Sequence, residues 1–473
     1  MSELHSDVVV VGAGVTGLTA AFWLARGGRS VAVLEAAPRA GGVIGTRRLA
    51  LDDGEALCEL GPNSAMDTGA GVGALLRELG LGEQRLDARA QAARRYLLRA
   101  GRLHAVPTGP LSFVATPLWS WRAKLALLRE PFLGRRADAG EQSVAEFARR
   151  HLGAELLDYA VEPFVGGIYA GDPQRLSLDA AFPRLAELER RHGSLVRGAL
   201  HAAAARRRRQ RTRDEGSKLR ATSFNFAGGM QTLIDALASR LRGLACSTRA
   251  LALRREPDGR FALDCERNGA RECWRARALL LAVPAYEAAP LLAGFGAAGG
   301  AAAAALQEVV YPPLATVTAV YRRGDVAHPL DGFGFLAPRV ERAPVLGTLF
   351  VSSMFAERAP AGTVVLTSFV GGRRDPQAAL APESQIVAEV LGCNRQLLGA
   401  GAPIASAVQR WPRAIPQYDL GHRQRIAAVA ALEAQMPGLA LAGNWRDGVA
   451  LSDCIESGTG CAERLAQHLQ SVR

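Results

Sequence analysis

The chain has 473 residues, a net charge of +12, and a composition that is 49% hydrophobic and 22% charged. That excludes a disordered chain and leaves room for two or three domains around a large core. Seven cysteines, an odd number without paired CxxC spacing, argue against a disulfide scaffold or a zinc ribbon and point to a reducing compartment with no structural metal.

The opening residues 1–7 lack a basic n-region, so the apolar run 8–11 reads as a buried parallel strand and not as part of a signal peptide. Gly12-Ala13-Gly14-Val15-Thr16-Gly17 follows, then an apolar helix over 18–26, then a second strand over 30–34 ending at Glu35. Glycines at this spacing, between strand and helix in a unit of about thirty residues closed by an acid, form a dinucleotide-binding pattern. Gly12 allows the tight turn, Gly14 lets a pyrophosphate approach, and Gly17 lets helix and strand pack closely. Val15 and Thr16 sit at the helix start, where unpaired N–H groups and the positive dipole end meet phosphate. Glu35 can accept from both ribose hydroxyls and would repel a 2′-phosphate. Arg39-Ala40-Gly41-Gly42 and Gly61-Pro62-Asn63 are two further close-approach turns. A nicotinamide dinucleotide does not need them; the longer FAD does.

Segment 91–109 carries Arg94-Arg95-Tyr96. Helical patterns then run over 122–129, 143–151, 154–164 and 178–192. Trp119 and Trp121 lie beside Arg122 and Lys124, a grouping that suits a membrane interface. Six arginines between 206 and 213 read as a solvated basic loop suited to anionic headgroups. No nucleic-acid motif accompanies them, so nucleic acid is not an expected partner. No apolar stretch reaches the ~18 residues a spanning helix needs.

Patterning resumes with a helix over 231–241 and short strands over 249–254, which includes Ala250, over 261–265 and over 278–283. Strands over 315–321, 332–336, 347–352 and 364–370 read as the floor of a second domain. A strand over 439–442, the turn Gly443-Asn444, the residues Gly448-Val449-Ala450 and a helix from about 452 to 469 close the chain. Ser452 is the expected N-cap of that helix. Its start could aim N–H groups at the edge of a flavin where negative charge develops on reduction.

The residues 10–18, 59–64, 167–172 (Gly-Ile-Tyr-Ala-Gly-Asp), 333–336 (Phe-Gly-Phe-Leu), 411–418 (Trp-Pro-Arg-Ala-Ile-Pro-Gln-Tyr) and 443–449 carry a resemblance. The chain is similar to the FAD- and oxygen-dependent protoporphyrinogen oxidase family of haem biosynthesis over nearly its whole length. The resemblance implies an α/β fold: a glutathione-reductase-type FAD-binding Rossmann domain, a mixed-sheet substrate domain and a helical membrane-binding insert. In this chain the FAD domain would comprise 1–90, 221–285 and 425–473. The substrate domain would comprise 91–109 and 286–424, the insert 110–195 and the basic loop 196–220. It implies non-covalent FAD, a porphyrinogen substrate (protoporphyrinogen, or coproporphyrinogen by the same fold), molecular oxygen, peripheral attachment to the cytoplasmic side of a bacterial inner membrane, a homodimer and handover of product to a ferrochelatase. A flavin amine oxidase is a more distant alternative.

By the same resemblance Arg95 anchors a substrate propionate, a task for a bidentate guanidinium. Phe369 faces a pyrrole ring, Leu336 and Leu349 are pocket walls, Gly334 and Phe333 approach the macrocycle, and Gly167 borders the cavity. Trp411 joins the cofactor set. No catalytic His, Asp or Glu emerges: the flavin carries the chemistry, and proximity in a dry pocket is what the protein supplies. Histidines such as His151 and His422 read as surface or structural, and Cys454 as a packed thiol.

Overall fold

The computed structural model describes residues 2–134, 136, 140–198, 200–201 and 222–471. The arginine run 206–213 lies outside the described residues.

Two seven-stranded sheets organise the chain. In the first, the strands run in the order Leu244–Ala245, Val31–Leu34, Ser2–Val11, Ala270–Leu281, Phe261–Arg267 and Thr248–Arg255, with Leu439–Leu441 pairing beside Ala270–Leu281. The four strands Leu244–Ala245, Val31–Leu34, Ser2–Val11 and Leu439–Leu441 pair in parallel with their neighbours, and the other two form an antiparallel meander on Ala270–Leu281. The opening strand begins six residues earlier than its apolar run, because Ser2–Ser6 pair with the polar half of Ala270–Leu281.

Both faces of this sheet are buried, and the pleat sorts its residues between them. Val8, Val10, Val33 and Leu280 pack on one side with the helices Val15–Arg26, Gln231–Ser239 and Leu451–Ser471. Val9, Val11, Leu34, Leu279 and Leu281 pack on the other with Ala285–Leu292, Gly296–Gln307 and His422–Gln435. The two helices after residue 285 thus pack on the first sheet. Alanine-rich helices of this kind show no polar stripe that would mark which sheet they cover.

The second sheet runs Ala405–Trp411, Leu314–Arg322, Thr363–Gly371, Gly347–Phe350, Gly334–Leu336, Arg95–Arg99 and Arg102–Ala105. All pairs are antiparallel except Gly334–Leu336 with Arg95–Arg99. Its back face packs Tyr96, Phe335, Phe350 and Leu366 on the helix Glu383–Leu398 through Ile386 and Val390. That helix and the edge strand Ala405–Trp411 have no counterpart in the sequence reading. Nor does the hairpin Thr46–Leu51 with Gly54–Glu59, whose Leu49, Leu51 and Ala56 cover part of the front face.

The described part of segment 110–195 is a series of short helices, and two of the expected runs are divided. The run 154–164 divides into Ala154–Leu156, a π-turn at Leu157–Val161 and Glu162–Tyr169; the run 178–192 divides at Phe182-Pro183, where proline ends one helix and starts the next. Trp119 is not an interface residue: it is buried against Phe113, with ring centroids 5.1 Å apart, beside Leu118 and Leu156. Trp121 is exposed, as are Leu111, Val114, Leu125, Leu128 and Phe132. Among the described residues no helix is long and apolar enough to cross a membrane.

Candidate active site

Three strand ends of the first sheet, those of Ser2–Val11, Ala270–Leu281 and Leu439–Leu441, lie side by side, joined by Ala282 N–H to Val11 O at 2.8 Å and Ala442 N–H to Leu281 O at 2.9 Å, and Gly12 N–H to Leu34 O at 2.8 Å ties in the neighbouring strand Val31–Leu34. At the end of Ser2–Val11 the chain turns through Gly12 at φ +103°, where a side chain would meet Ala282 O at 2.5 Å. A Cβ on Gly17 would collide with Gly12 O, whereas one on Gly14 would meet nothing within 4 Å. Gly14 caps Val15–Arg26 without a side chain, and Val15 and Thr16 are buried in its first turn. The glycines thus divide by role: Gly12 and Gly17 permit the turn, and Gly14 borders open space at a helix N-terminus.

Gly41 N–H donates to Ala13 O at 2.8 Å, and a Cβ on Gly42 would stand 3.5 Å from Gly14 Cα, so the second glycine loop lies against the first. Arg39 does not extend toward a ligand. Its guanidinium binds the carbonyls of Ala40, Gly42 and Ile44 and braces that loop. Glu35 accepts Ala13 N–H through Oε2 at 2.7 Å and Ala37 N–H through Oε1 at 2.8 Å. Each oxygen keeps a further lone pair for a hydroxyl. Thr248 N–H donates to Glu35 O at 2.8 Å and so brings Ala250, at a bulge in its strand, to the same edge.

The turn Gly61-Pro62-Asn63 follows the hairpin. Trp411 Nε1 donates to Leu60 O at 2.8 Å, so the indole holds this turn and has no N–H left for a cofactor. Glu59 beneath it is buried, accepting from Thr46 Oγ1, Asn225 Nδ2 and Met230 N–H, with buried Arg358 at 3.5 Å. Burial pushes the Glu59 carboxyl up and the Arg358 guanidinium down, so the pair holds as mutual compensation for two desolvated charges. Sequence reading missed Arg358: its partner lies 299 residues away.

At the third strand end, Trp445 Nε1 donates to Val283 O at 3.1 Å, and Arg446 binds both oxygens of Glu433 at 2.7 Å. The last helix begins at Leu451, not at Ser452. Ser452 is buried within it, and Asp453 supplies the cap by accepting Ala450 N–H at 3.3 Å. Cys454 is a buried thiol 3.8 Å from Gly448 O, pushed up to about 12 by burial and therefore uncharged near neutral pH.

The substrate residues converge more tightly. Arg95, Gly334, Leu349, Thr367 and Thr318 form one register row across the second sheet. Leu97, Leu336, Gly347, Phe369 and Thr316 form the row two residues along. Because side chains alternate, both rows share the front face. Phe333, Leu336, Leu349 and Phe369 are half-buried there. Gly167 lies over them: a Cβ on it would stand 2.8 Å from Leu336 Cδ2. Gly334 at φ +145° lets the strand pass Leu349, whose Cα a side chain would meet at 2.9 Å. Arg95 is exposed, its guanidinium 5.2 Å from the Phe333 ring centroid; Arg99, four residues on, is already paired with Glu155 at 2.7 Å. Thr318 and Thr367, 3.2 Å apart, and Cys58, 3.0 Å from Thr318, tie the hairpin to the middle of the face. On the five inner strands the two rows carry no carboxylate or imidazole; on the edge strand Arg102–Ala105 the second row continues to His104, which pairs with Leu97.

These residues fit an extended flavin dinucleotide. The side-chain oxygen of buried Asn63 has no hydrogen-bond partner among the described residues, Gly14 opens to free space, and Glu35 keeps acceptor capacity.

The description "Flavin containing amine oxidoreductase" belongs to the family model that matches residues 15–466. The chain is 32% identical to the mitochondrial protoporphyrinogen oxidase of Nicotiana tabacum over 99% of its own length and 97% of the relative's. It is also 32% identical to the coproporphyrinogen III oxidase of Propionibacterium freudenreichii, over 98% and 91%. A crystal structure of a provisional protoporphyrinogen oxidase from Exiguobacterium sp. 255-15 superposes with a TM-score of 0.80 at 26% identity, covering 99% of this chain and all of that one.

Proposed function

The chain belongs to the flavin-containing amine oxidoreductases, as an FAD-dependent enzyme of the porphyrinogen oxidase group, and from that premise we propose that it oxidises protoporphyrinogen IX to protoporphyrin IX with oxygen as the final electron acceptor and hydrogen peroxide as co-product. The observation that carries this reading is the gathering of Arg95, Gly334, Leu336, Leu349 and Phe369 on one face of one sheet, roofed by Gly167. That face carries Leu336, Leu349 and Phe369 and is edged by a guanidinium that has no carboxylate partner among the described residues. Such a surface suits a flat macrocycle carrying propionates at one side.

Bound FAD supplies the hydride acceptor. The Gly12–Gly17 turn and the Val15–Arg26 helix would hold its pyrophosphate, Glu35 its ribose, and Asn63 with the Gly443 turn its ring end. Arg95 binds a propionate and so fixes which bridging carbon faces the acceptor. Leu336, Leu349 and Phe369 exclude water. The inner strands offer no carboxylate or imidazole, so the pyrrole proton leaves toward solvent at the rim, where the second row continues to His104.

Coproporphyrinogen III is the competing substrate, kept in view by the same 32% identity to one relative of each kind. It carries two more carboxylates, which would lie over the apolar Leu336–Phe369 end. The deciding experiment gives the purified holoenzyme both porphyrinogens in parallel and follows red porphyrin fluorescence. Faster turnover of protoporphyrinogen is expected. A preference for coproporphyrinogen transfers the assignment, and no turnover of either removes it.

We also assign the exposed patch Leu111, Trp121, Leu125, Leu128 and Phe132, flanked by Arg122 and Arg129, to peripheral attachment on an anionic membrane. The double variant Trp121→Ser/Phe132→Ser should sediment with anionic liposomes several-fold less than the parent; equal sedimentation would remove this role.

A further inference from the structure

Tyr418 is buried and reaches the Gly443–Gly448 arc twice. Its hydroxyl donates to Asn444 O at 2.6 Å and accepts Gly448 N–H at 2.9 Å. One phenol oxygen therefore closes an arc whose two ends lie four residues apart. The ring is held as firmly as the hydroxyl. It stacks on His422 with centroids 4.2 Å apart and planes 12° apart, and Tyr169 stands at 5.9 Å on another side. His422 is itself buried, and neither of its ring nitrogens has a partner among the described residues. Its ring acts here as a flat plate against the phenol, with the Trp445 backbone of the arc also facing the imidazole. Its backbone N–H donates to Asp419 O at 3.0 Å and fixes the plate at the start of the helix His422–Gln435.

The start of the arc has tethers of its own: Arg446 N–H donates to Gly443 O at 3.0 Å, the Trp445 indole lies against Gly443 and binds Val283 O, and Arg446 and Asp447 bind Glu433 and Ser457. Among the described residues, Tyr418 is the side chain that hydrogen-bonds both Asn444 and Gly448 and so ties the two ends together. We propose that Tyr418 is a positioning residue that sets the Gly443–Gly448 arc against the flavin ring, with His422 fixing the plane of its phenol. The inference rests on FAD lying along the three strand ends and is independent of which porphyrinogen is oxidised.

Tyr418→Phe removes the hydroxyl and keeps the stack. It leaves one carbonyl and one N–H of the arc without their partner, at a cost that corresponds to about a tenfold change in an equilibrium constant. Holoenzyme is diluted and released flavin read by its fluorescence, and the reduction potential of bound FAD is measured by dye equilibration. We expect FAD Kd to rise about tenfold and the potential to shift. The control is Tyr321→Phe, which deletes another buried hydroxyl, bound by Asn394 at 3.2 Å in the second sheet. It should move neither quantity. Parental affinity and potential in Tyr418→Phe overturn the proposal, as do equal changes in Tyr321→Phe. If Tyr418→Phe does not accumulate as holoenzyme, His422→Ala decides: it keeps the hydroxyl, removes the plate, and should raise FAD Kd about threefold. An unchanged Kd there overturns the proposal. Failure of porphyrinogen turnover with these flavin shifts intact counts against the substrate reading alone.

Discussion

The two seven-stranded sheets serve binding in opposite ways. The first is buried on both faces, so its strands have no side chain left for a ligand, and contact falls to backbone at the strand ends. The second is buried on its back and half-open on its front, so contact falls to the side chains of two register rows. The difference teaches what each site tolerates. A site made of backbone fails through steric intrusion, largely without regard to chemistry. A site made of side chains fails residue by residue, according to the chemistry each one supplies.

The largest expected effect lies in the first sheet and tests that claim within one turn. Gly17→Ala places a methyl group against Gly12 O, with Ala282 Cβ 3.2 Å away on the other side. The helix cannot withdraw, because Gly458 of the last helix already packs against Thr16 O. A loss of about 3 kcal/mol of stability is expected, together with loss of FAD. Gly14→Val should separate the two effects. Its Cβ meets nothing within 4 Å and its φ of −69° suits any residue, so apo-protein stability should fall by no more than about 1 kcal/mol while flavin is lost. Thermal melts of the apo-proteins and flavin absorbance after purification check both. Full FAD occupancy in Gly14→Val would break the comparison at its root.

The second sheet should respond by chemistry. Arg95→Ala removes an exposed cation that sits over the Phe333 ring, so stability should stay within about 0.5 kcal/mol of the parent. The propionate contact exists before and during reaction, so KM should rise about tenfold with kcat within about twofold. Arg95→Lys should recover only part of that, because an ammonium cannot make the forked contact. Steady-state kinetics against the porphyrinogen turned over by the holoenzyme is the measurement, and an unchanged KM would remove Arg95 from the site.

Legibility in the sequence followed the same division. Backbone sites need glycine at fixed spacing, and Gly12, Gly14, Gly17, Gly41 and Gly42 converge as their spacing implies. The front-face residues were legible only through family motifs, since a row across five strands is set by register that no local pattern displays. What stayed hidden was made by distant pairs: Arg358 with Glu59, Tyr418 with Asn444 and Gly448, and the helices after residue 285 with the first sheet. Trp119 and Ser452 show the converse failure. Each has the right residue type for an interface or a cap, but Phe113 and Leu118 bury the first and Asp453 takes the role of the second.

The smallest expected effect sharpens how the second sheet holds its register. Asp331 accepts the Tyr96 hydroxyl at 2.5 Å and pairs with Arg94, and it immediately precedes the Gly332-Phe333-Gly334 run that pairs with Arg95. The Tyr96 hydroxyl, followed by the Arg94 charge, holds its carboxyl below the usual carboxylate range. A carboxyl depressed in the folded state contributes stability above its unfolded pKa and loses that contribution as pH falls through the folded value. The side chain is about a third exposed, so screening by solvent limits the contribution to less than about 1 kcal/mol. Asp331→Asn should therefore lower stability at pH 7 by that amount and approach the parent only in acid below the usual carboxylate range. Urea unfolding at both pH values isolates it, because the other depressed carboxylates, such as Glu130 and Glu155, are common to both proteins. Parallel curves across the acid range would mean that backbone pairing alone sets the Arg95 register, and the second sheet would then share the logic of the first.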